Sequence, residues 1–449
     1  MLTPDPEAKQ TPFDPAAPHH IKPKIRALRG FPADMGNQKA LGLADARQIS
    51  DRIIVTSPAF QVVLPLMDGS RTIDEIVAQV GRGLTRPVLE PLVAQLDGAG
   101  LLFGPTFDAM LARMRADFDG SPNLPPAVTG QFAEMLGAQI LGDKAEGSSP
   151  EEREQAGLPK MKEIFDAWIA KALEEVANPS LDRLPKAIVA PHLDYARGWM
   201  NYAAVYGRLR VVDRPDRIVI LGTNHFGEGT GVTACDKGYQ SPFGVCEAAN
   251  DIILALRAKL GDKLFANRFD HEREHSIELH IPWIQHVFAG EGGKLPTVFG
   301  ALVHDPAVNN GESYDGKGVA LEPFINALRE CLAGLPGTTL IISSADLSHA
   351  GPAFGDQGTL AGDEPEAEQA RNKVIQHDRE MLDLVRANKP DELVAAMAWQ
   401  QNPTRWCSVG NLVATMKVAQ PQEIEILNYM GAMDPQGNTL VTSFAAAMF

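Results

Sequence analysis

Residues 271–286, HEREHSIELHIPWIQH, gather four histidines and three glutamates and open with a match to His-Glu-x-x-His. On a helix that pattern sets two imidazoles one turn apart, beside a glutamate placed to activate a zinc-bound water. In this reading His271 and His275 hold zinc and Glu272 is the base of a hydrolase. The neighbouring residues argue against it. Arg273 and Glu274 are charged at positions that would face the protein interior, and Asp270 adds a further charge just upstream. Pro282 also limits how far a helix could run past His280.

A second constellation is dispersed along the chain. KAIVAPH, RIVILGTNH, LPTVFGALVH and TTLIISSADLSH each run a few aliphatic residues into a polar, histidine-bearing end. Helical stretches such as EAANDIILALRAKL and EPFINALRECLAGL lie between some of them. Apolar strands separated by helices imply an α/β fold with a largely parallel sheet covered on both faces. Ligands collect at the carboxyl ends of such strands, which gathers His192, His225 and Asp346 with His349 at one edge. Neutral imidazole suits iron, copper and zinc. TRWCSVGNLVATM adds Cys407 at the start of an apolar helix, where the helix dipole and a metal both favour the thiolate. Cys235, Cys246 and Cys331 have no comparable setting and read as structural.

What must position these residues follows from length and composition. A chain of 449 residues exceeds what one core usually serves, so more than one domain is expected. Its 57 acidic and 41 basic side chains leave a formal net charge of −16, which argues against nucleic acid or an anionic membrane as the main partner. Four cysteines without a C-x-x-C pair indicate a reducing compartment. The proline- and acid-bearing start is unlike a signal peptide, and no apolar run nears the ~18 residues of a membrane helix, so a cytoplasmic protein is expected.

Three segments follow. Residues 1–28 read as a disordered head, with His19 and His20 solvated instead of ligating metal. Residues 29–118 read as a small winged-helix-like module. In it a helix is capped by Thr72 or Ser70, and a second carries Val88, Leu89, Leu92, Val93 and Leu96 before Gly98, Gly100 and a strand-like LLF. Arg82 and Arg86 are a thin basic supply for a DNA-reading helix, so a protein-interaction or packing role is expected. Residues 122–449 form the α/β domain, in which GDKAEGSSPEEREQAG reads as a loop. KMKEIFDAWIAKALEEV then reads as an amphipathic helix with Met161, Ile164, Phe165, Trp168, Ile169 and Leu173 inward.

The words APHLDY, ILGTNH, EHSIELHIPW, SSADLSH, WCSVG, ILNYMGAMD and VTSFAAAMF, in that order, together with PPAVTGQF upstream, resemble the MEMO family, the B component of the AmmeMemoRadiSam group. LMDGSRTIDEI and LDGAGLL resemble PqqD-like modules, which bind peptides or partner proteins. The MEMO resemblance, over residues 124–449, implies a fold related to class III extradiol dioxygenases with a mononuclear metal near the strand ends. By matching motif it implies His192, His225 and Cys407 as metal ligands and His349 as acid/base, oriented by Asp346. It further implies that His275, Glu278 and His280 line or support the pocket. The chain has Phe226 where the family often has a second histidine, and Ser408-Val409-Gly410 where it has Gly-Arg-His-Pro after the cysteine.

Fe(II) is the first expectation for the metal, with copper or zinc as alternatives, and the expected role is redox or oxygen-related. A thiolate is softer and more oxidisable than the carboxylate of extradiol enzymes, which weighs against ring cleavage. The competing expectation is a non-catalytic protein that captures a small molecule or peptide and works with a radical-SAM partner.

Overall fold

The computed structural model describes residues 12–35, 38–289 and 294–449. The chain divides into two compact units, one ending at Ser121 and one running from Pro122 to Phe449.

The smaller unit opens with an antiparallel sheet of β1 (Leu28–Met35), β2 (Gln38–Asp45) and β3 (Ile54–Thr56), in that order. Helices Ile73–Val80, Arg86–Gly98 and Pro105–Gly120 follow. Thr72 starts the first of these through a capping box, its hydroxyl taking the Glu75 N–H while the Glu75 carboxylate takes the Thr72 N–H. Leu41, Leu43, Met67, Ile76, Leu89, Val93, Leu96 and Leu101 form its core. The expected terminal strand is only a bridge between Leu102 and Ile25, so the sheet precedes the helices instead of closing them. Residues 12–28 depart from the disordered head: Pro18–Ile21 is a helical turn, Lys24 bridges Asp68, and His20 is buried. The rest of that head, residues 1–11, lies outside the described residues.

The larger unit is built on an eight-stranded mixed sheet. Its strands, with those of a small neighbouring sheet, are β4 (Asn123–Leu124), β5 (Ala187–Ala190), β6 (Arg217–Thr223), β7 (Thr233–Ala234), β8 (Gly238–Ser241), β9 (Gly244–Cys246), β10 (Thr297–Val303), β11 (Thr339–Ser344), β12 (Asp346–Ala350), β13 (Ile424–Met433) and β14 (Leu440–Met448). The main order is β12-β14-β5-β11-β6-β10-β7, with β13 also on β14, while β4, β8 and β9 form the small sheet. Only the centre is parallel: β5, β11, β6 and β10 run together, and β7, β12, β13 and β14 are antiparallel. β5 and β6 are buried at every position, which explains why they read as continuous apolar runs. Register puts Ala190 of β5 opposite Ser344 of β11, and Leu221 of β6 opposite Ser343, so the three strand ends finish within one residue of each other.

The segment expected as a loop before Lys160 is largely helical. Ser149 caps a helix from Pro150 to Ala172, accepting the Glu152 N–H while Glu152 accepts the Ser149 N–H. That Ser-x-x-Glu box was present in SSPEE and marks the true start. The preceding helix, Val128–Leu141, lacks a local side-chain cap. Its cap comes from far along the chain: the buried Glu278 carboxylate accepts the N–H groups of Ala127, Val128 and Thr129 (2.8, 3.2 and 2.8 Å) and the Thr129 hydroxyl (2.7 Å). A carboxylate at a helix N-terminus is favoured by the orphan donors and the dipole together.

Glu278→Ala should therefore destabilise the larger unit by about 2–4 kcal/mol, because it leaves these buried donors without an acceptor. All five tryptophans lie between residues 168 and 406, so tryptophan fluorescence during guanidinium unfolding reports this unit alone. A loss below about 0.5 kcal/mol would contradict the capping assignment.

Candidate metal centre

Two residues past the ends of β5 and β6 come His192 and His225, with β11 between their strands. The third element is the helix Val409–Ala419, whose start places Cys407 against them. Its fit against the sheet is tight at Gly410. A β-carbon there would stand 2.2 Å from the His304 carbonyl oxygen and 2.8 Å from Val303 Cγ1, so only glycine lets this helix start where it does.

His192, His225 and Cys407 each offer a donor atom, and these atoms lie within 4.8 Å of one another. His192 Nε2 is 3.2 Å from Cys407 Sγ, close to the ~3.5 Å edge expected between two donors bonded at ~2.0–2.3 Å to one tetrahedral ion. The hydrogen bonds assign the tautomers. Ser344 Oγ donates to the Ser276 carbonyl (2.5 Å), so it accepts the Nδ1 proton of His192 (3.0 Å) and leaves Nε2 with its lone pair. Glu274 Oε1 can only accept, so His225 Nδ1 is the donor at 3.0 Å, which leaves Nε2 for the Cys407 sulfur. Glu274 takes the His225 backbone N–H as well (2.8 Å).

Electrostatics agree with a site prepared for positive charge. Burial and the neighbouring imidazoles hold His192 well below the usual histidine range. Burial alone would lower His225 too, but the Glu274 carboxylate and the Cys407 sulfur outweigh it and raise His225 well above that range. Burial pushes the Cys407 thiol up, partly offset by His225. Two imidazole nitrogens, one sulfur and a sealed carboxylate behind them therefore fit a divalent transition metal, which would hold the thiolate form and relieve His225 of its proton.

Around this trio the sequence-derived residues fall into distinct places. His275 is half-buried, stacks on His225 (4.8 Å between centroids, 27° between planes) and meets His192 edge-on at 5.6 Å. His349 directs Nδ1 at the carbonyls of Leu347 and Arg405 (3.0 and 3.1 Å), which leaves the Nε2 lone pair unprotonated, and burial lowers its pKa below the ordinary histidine value. The expectation that Asp346 orients His349 is corrected by these bonds, since backbone carbonyls do so. Asp346 turns to His192 instead, accepting its N–H (3.1 Å) and lying 3.7 Å from its Nε2, and burial raises its carboxyl to about 7. A register irregularity between Asp346 and His349 on β12 resets the alternation that would send residues three apart to opposite faces. Glu278 and His280 do not line the site by their bonding: Glu278 caps the helix described above, and His280 is fully buried with Nδ1 on the Tyr206 hydroxyl (2.9 Å).

The HEREH segment supports the centre without forming a zinc pair. His271 ends one short helix and His275 begins another, so they share no helical face. Both His271 nitrogens are occupied, Nδ1 by the Tyr239 hydroxyl and Nε2 by the Thr233 carbonyl, each at 3.0 Å. Asp270 pins the loop after His225 by accepting from Asn224 Nδ2 and the N–H groups of Glu228 and Gly229. Ser276 bonds both the N–H and the carbonyl of Thr223 at the end of β6.

Sequence reasoning missed Glu274, Ser344 and Asp378. Glu274 was visible only as a charge in an awkward place. Asp378 is fully buried and accepts from Ser348 Oγ, Trp406 Nε1, Tyr429 Oη and Thr442 Oγ1, thereby fixing the chain neighbours of both His349 and Cys407. Ahead of Cys407, Gln401, Asn402 and Arg405 all adopt left-handed backbone, each costing on the order of 1 kcal/mol or more. The Asn402 side chain secures the turn by bonding both the N–H and the carbonyl of Trp406 at 2.8 Å.

The sequence profile of the family described as Memo-like protein matches residues 158–448. This chain belongs to the Memo-like family. A MEMO1 family protein of Methanopyrus kandleri is 29% identical over 272 residues, spanning 58% of this chain and 82% of the relative. One of Thermotoga maritima is 29% identical over 262 residues, spanning 57% and 79%. One of Thermotoga petrophila is 34% identical over 208 residues, spanning 44% and 66%. The profile match lies wholly within the larger unit and includes His192, His225 and Cys407.

Glu274→Gln should keep the shape of the acceptor while removing its charge, and metal affinity should fall roughly 10- to 100-fold in chelator competition. Gly410→Ala should displace the Cys407 helix and lower metal uptake further; uptake unchanged in both variants would contradict the assignment.

Proposed function

We propose that this protein holds one divalent metal through His192, His225 and Cys407, Fe(II) first and copper or zinc as alternatives, and that with iron or copper bound it works in oxygen-related chemistry. The observation that carries the reading is the tautomer assignment: both histidines turn Nε2 toward the same sulfur because Ser344 and Glu274 occupy Nδ1. When bound, iron or copper would supply one-electron chemistry and open coordination positions for a chelating ligand.

The chain's own groups then define what the pocket does. His349, with Nδ1 engaged by carbonyls, accepts a proton at Nε2 from a substrate hydroxyl and can return it. His275 and Phe226, with centroids 5.8 Å apart, present ring faces that orient a planar substrate and limit water. Asp346, near neutral by burial, can share a proton with the His192 side of the pocket. No helix among the described residues is long and apolar enough to cross a membrane.

A second reading is a non-catalytic binding protein whose smaller unit recruits a radical-SAM partner. It is favoured by the separate compactness of that unit and by a thiol in place of a third hard ligand.

Protein purified anaerobically should contain about one metal per chain, and His225→Ala and Cys407→Ser should lose most of it. His349→Gln should keep the metal while oxygen consumption with catechol-like substrates drops about 100-fold or more. Metal-free protein from reducing conditions, with Cys407→Ser behaving as wild type, would overturn the proposal. Metal uptake with no oxygen consumption, and co-purification of a radical-SAM partner, would favour the second reading.

A further inference from the structure

The smaller unit carries another group of ligating side chains, unconnected with the centre above. Asp97 Oδ2 lies 3.4 Å from His19 Nε2 and 3.2 Å from His20 Nε2, and the two imidazoles meet with centroids 4.6 Å apart. The three residues offer donor atoms within 4.8 Å of one another. His20 and Asp97 are 2% and 4% exposed, and His19 is half-buried, which leaves a route in from solvent.

The charge of Asp97 is poorly met by what surrounds it. It stands in the last turn of the helix Arg86–Gly98, where the dipole disfavours an anion. Its Oδ1 is buried and has no hydrogen-bond partner. Arg26 pairs with Asp45 at 2.8 Å, and Arg52 bonds the Gly98 carbonyl. His20 Nδ1 accepts the Asp14 N–H at 2.9 Å, so His20 is a neutral imidazole with its proton on Nε2, facing the carboxylate. A buried carboxylate with an orphan oxygen, set between two imidazoles, calls for a cation.

We propose that His19, His20 and Asp97 bind a divalent transition metal of the zinc class, tying the segment around Pro18–Ile21 to the end of the helix Arg86–Gly98. Two imidazoles and a carboxylate are a donor set that zinc accepts, with water in the fourth position. A metal at His20 Nε2 moves the ring proton to Nδ1, so metal binding and the Asp14 hydrogen bond exclude each other.

The test uses the full chain carrying His225→Ala and Cys407→Ser, which silences the other centre. Titrated with Zn²⁺ against a chromophoric chelator, it should take up about one equivalent, and His19→Ala and the near-isosteric Asp97→Asn should each weaken uptake roughly tenfold or more. If Asp97→Asn does not fold, His19→Ala decides, because His19 is part-exposed. Amide exchange at Asp14 should quicken on loading. Absence of uptake, or uptake unaltered by His19→Ala, overturns the proposal.

Discussion

The buried carboxylate of Glu274 organises the strand ends. Its side chain is sealed from water, so its charge must be met by donors, and it takes them from the N–H and Nδ1 of His225 and from the N–H of Ser276. One residue thereby fixes a ring, a tautomer and the start of a helix. Its carboxyl stays ionised at a pKa of about 2; burial opposes this, and the charge and hydrogen bonds of His225 prevail. What faces the centre is consequently an imidazole made more basic by an anion behind it, the arrangement that strengthens a metal-binding nitrogen.

The same economy runs through the neighbouring contacts. Ser276 joins the end of β6 to β11 by holding Thr223 and accepting from Ser344, and Ser344 in turn orients His192. Thr223 Oγ1 donates to the Cys407 carbonyl and accepts from Asn411, which lies one helical turn beyond that cysteine. Two histidines and a thiol distant in sequence are thus linked through one continuous polar network, most of it buried. A network of this kind is stable only if its members are nearly all satisfied.

Much of this was legible in the sequence, and the reasons are specific. His192 and His225 follow from the rule that ligands collect at the carboxyl ends of parallel strands, because apolar runs ending in a polar residue mark those ends directly. Cys407 is marked by its place at a helix start together with the family's WCSVG word. The antiparallel outer strands were not legible, because LVTSFAAAM is buried throughout and carries no alternation to separate parallel from antiparallel pairing. Partners were harder than ligands. Glu274 was read as an obstacle to burial, although its charge is matched by a residue 49 positions away. The family's Asp-x-x-His word implies that Asp346 orients His349, and the irregular β12 directs it to His192 instead. Glu278 sat inside a histidine-rich word yet serves a helix about 150 residues upstream. Long-range pairing of this kind depends on the fold and leaves no local periodicity.

At the strand ends one metal ion should be bonded to sulfur and imidazole together, and X-ray absorption at the metal edge of the loaded wild-type protein reads those neighbours. One sulfur scatterer at about 2.3 Å with two nitrogens near 2.0–2.1 Å is expected, with loss of the sulfur shell alone in Cys407→Ser. A wild-type spectrum containing only nitrogen and oxygen neighbours would contradict it.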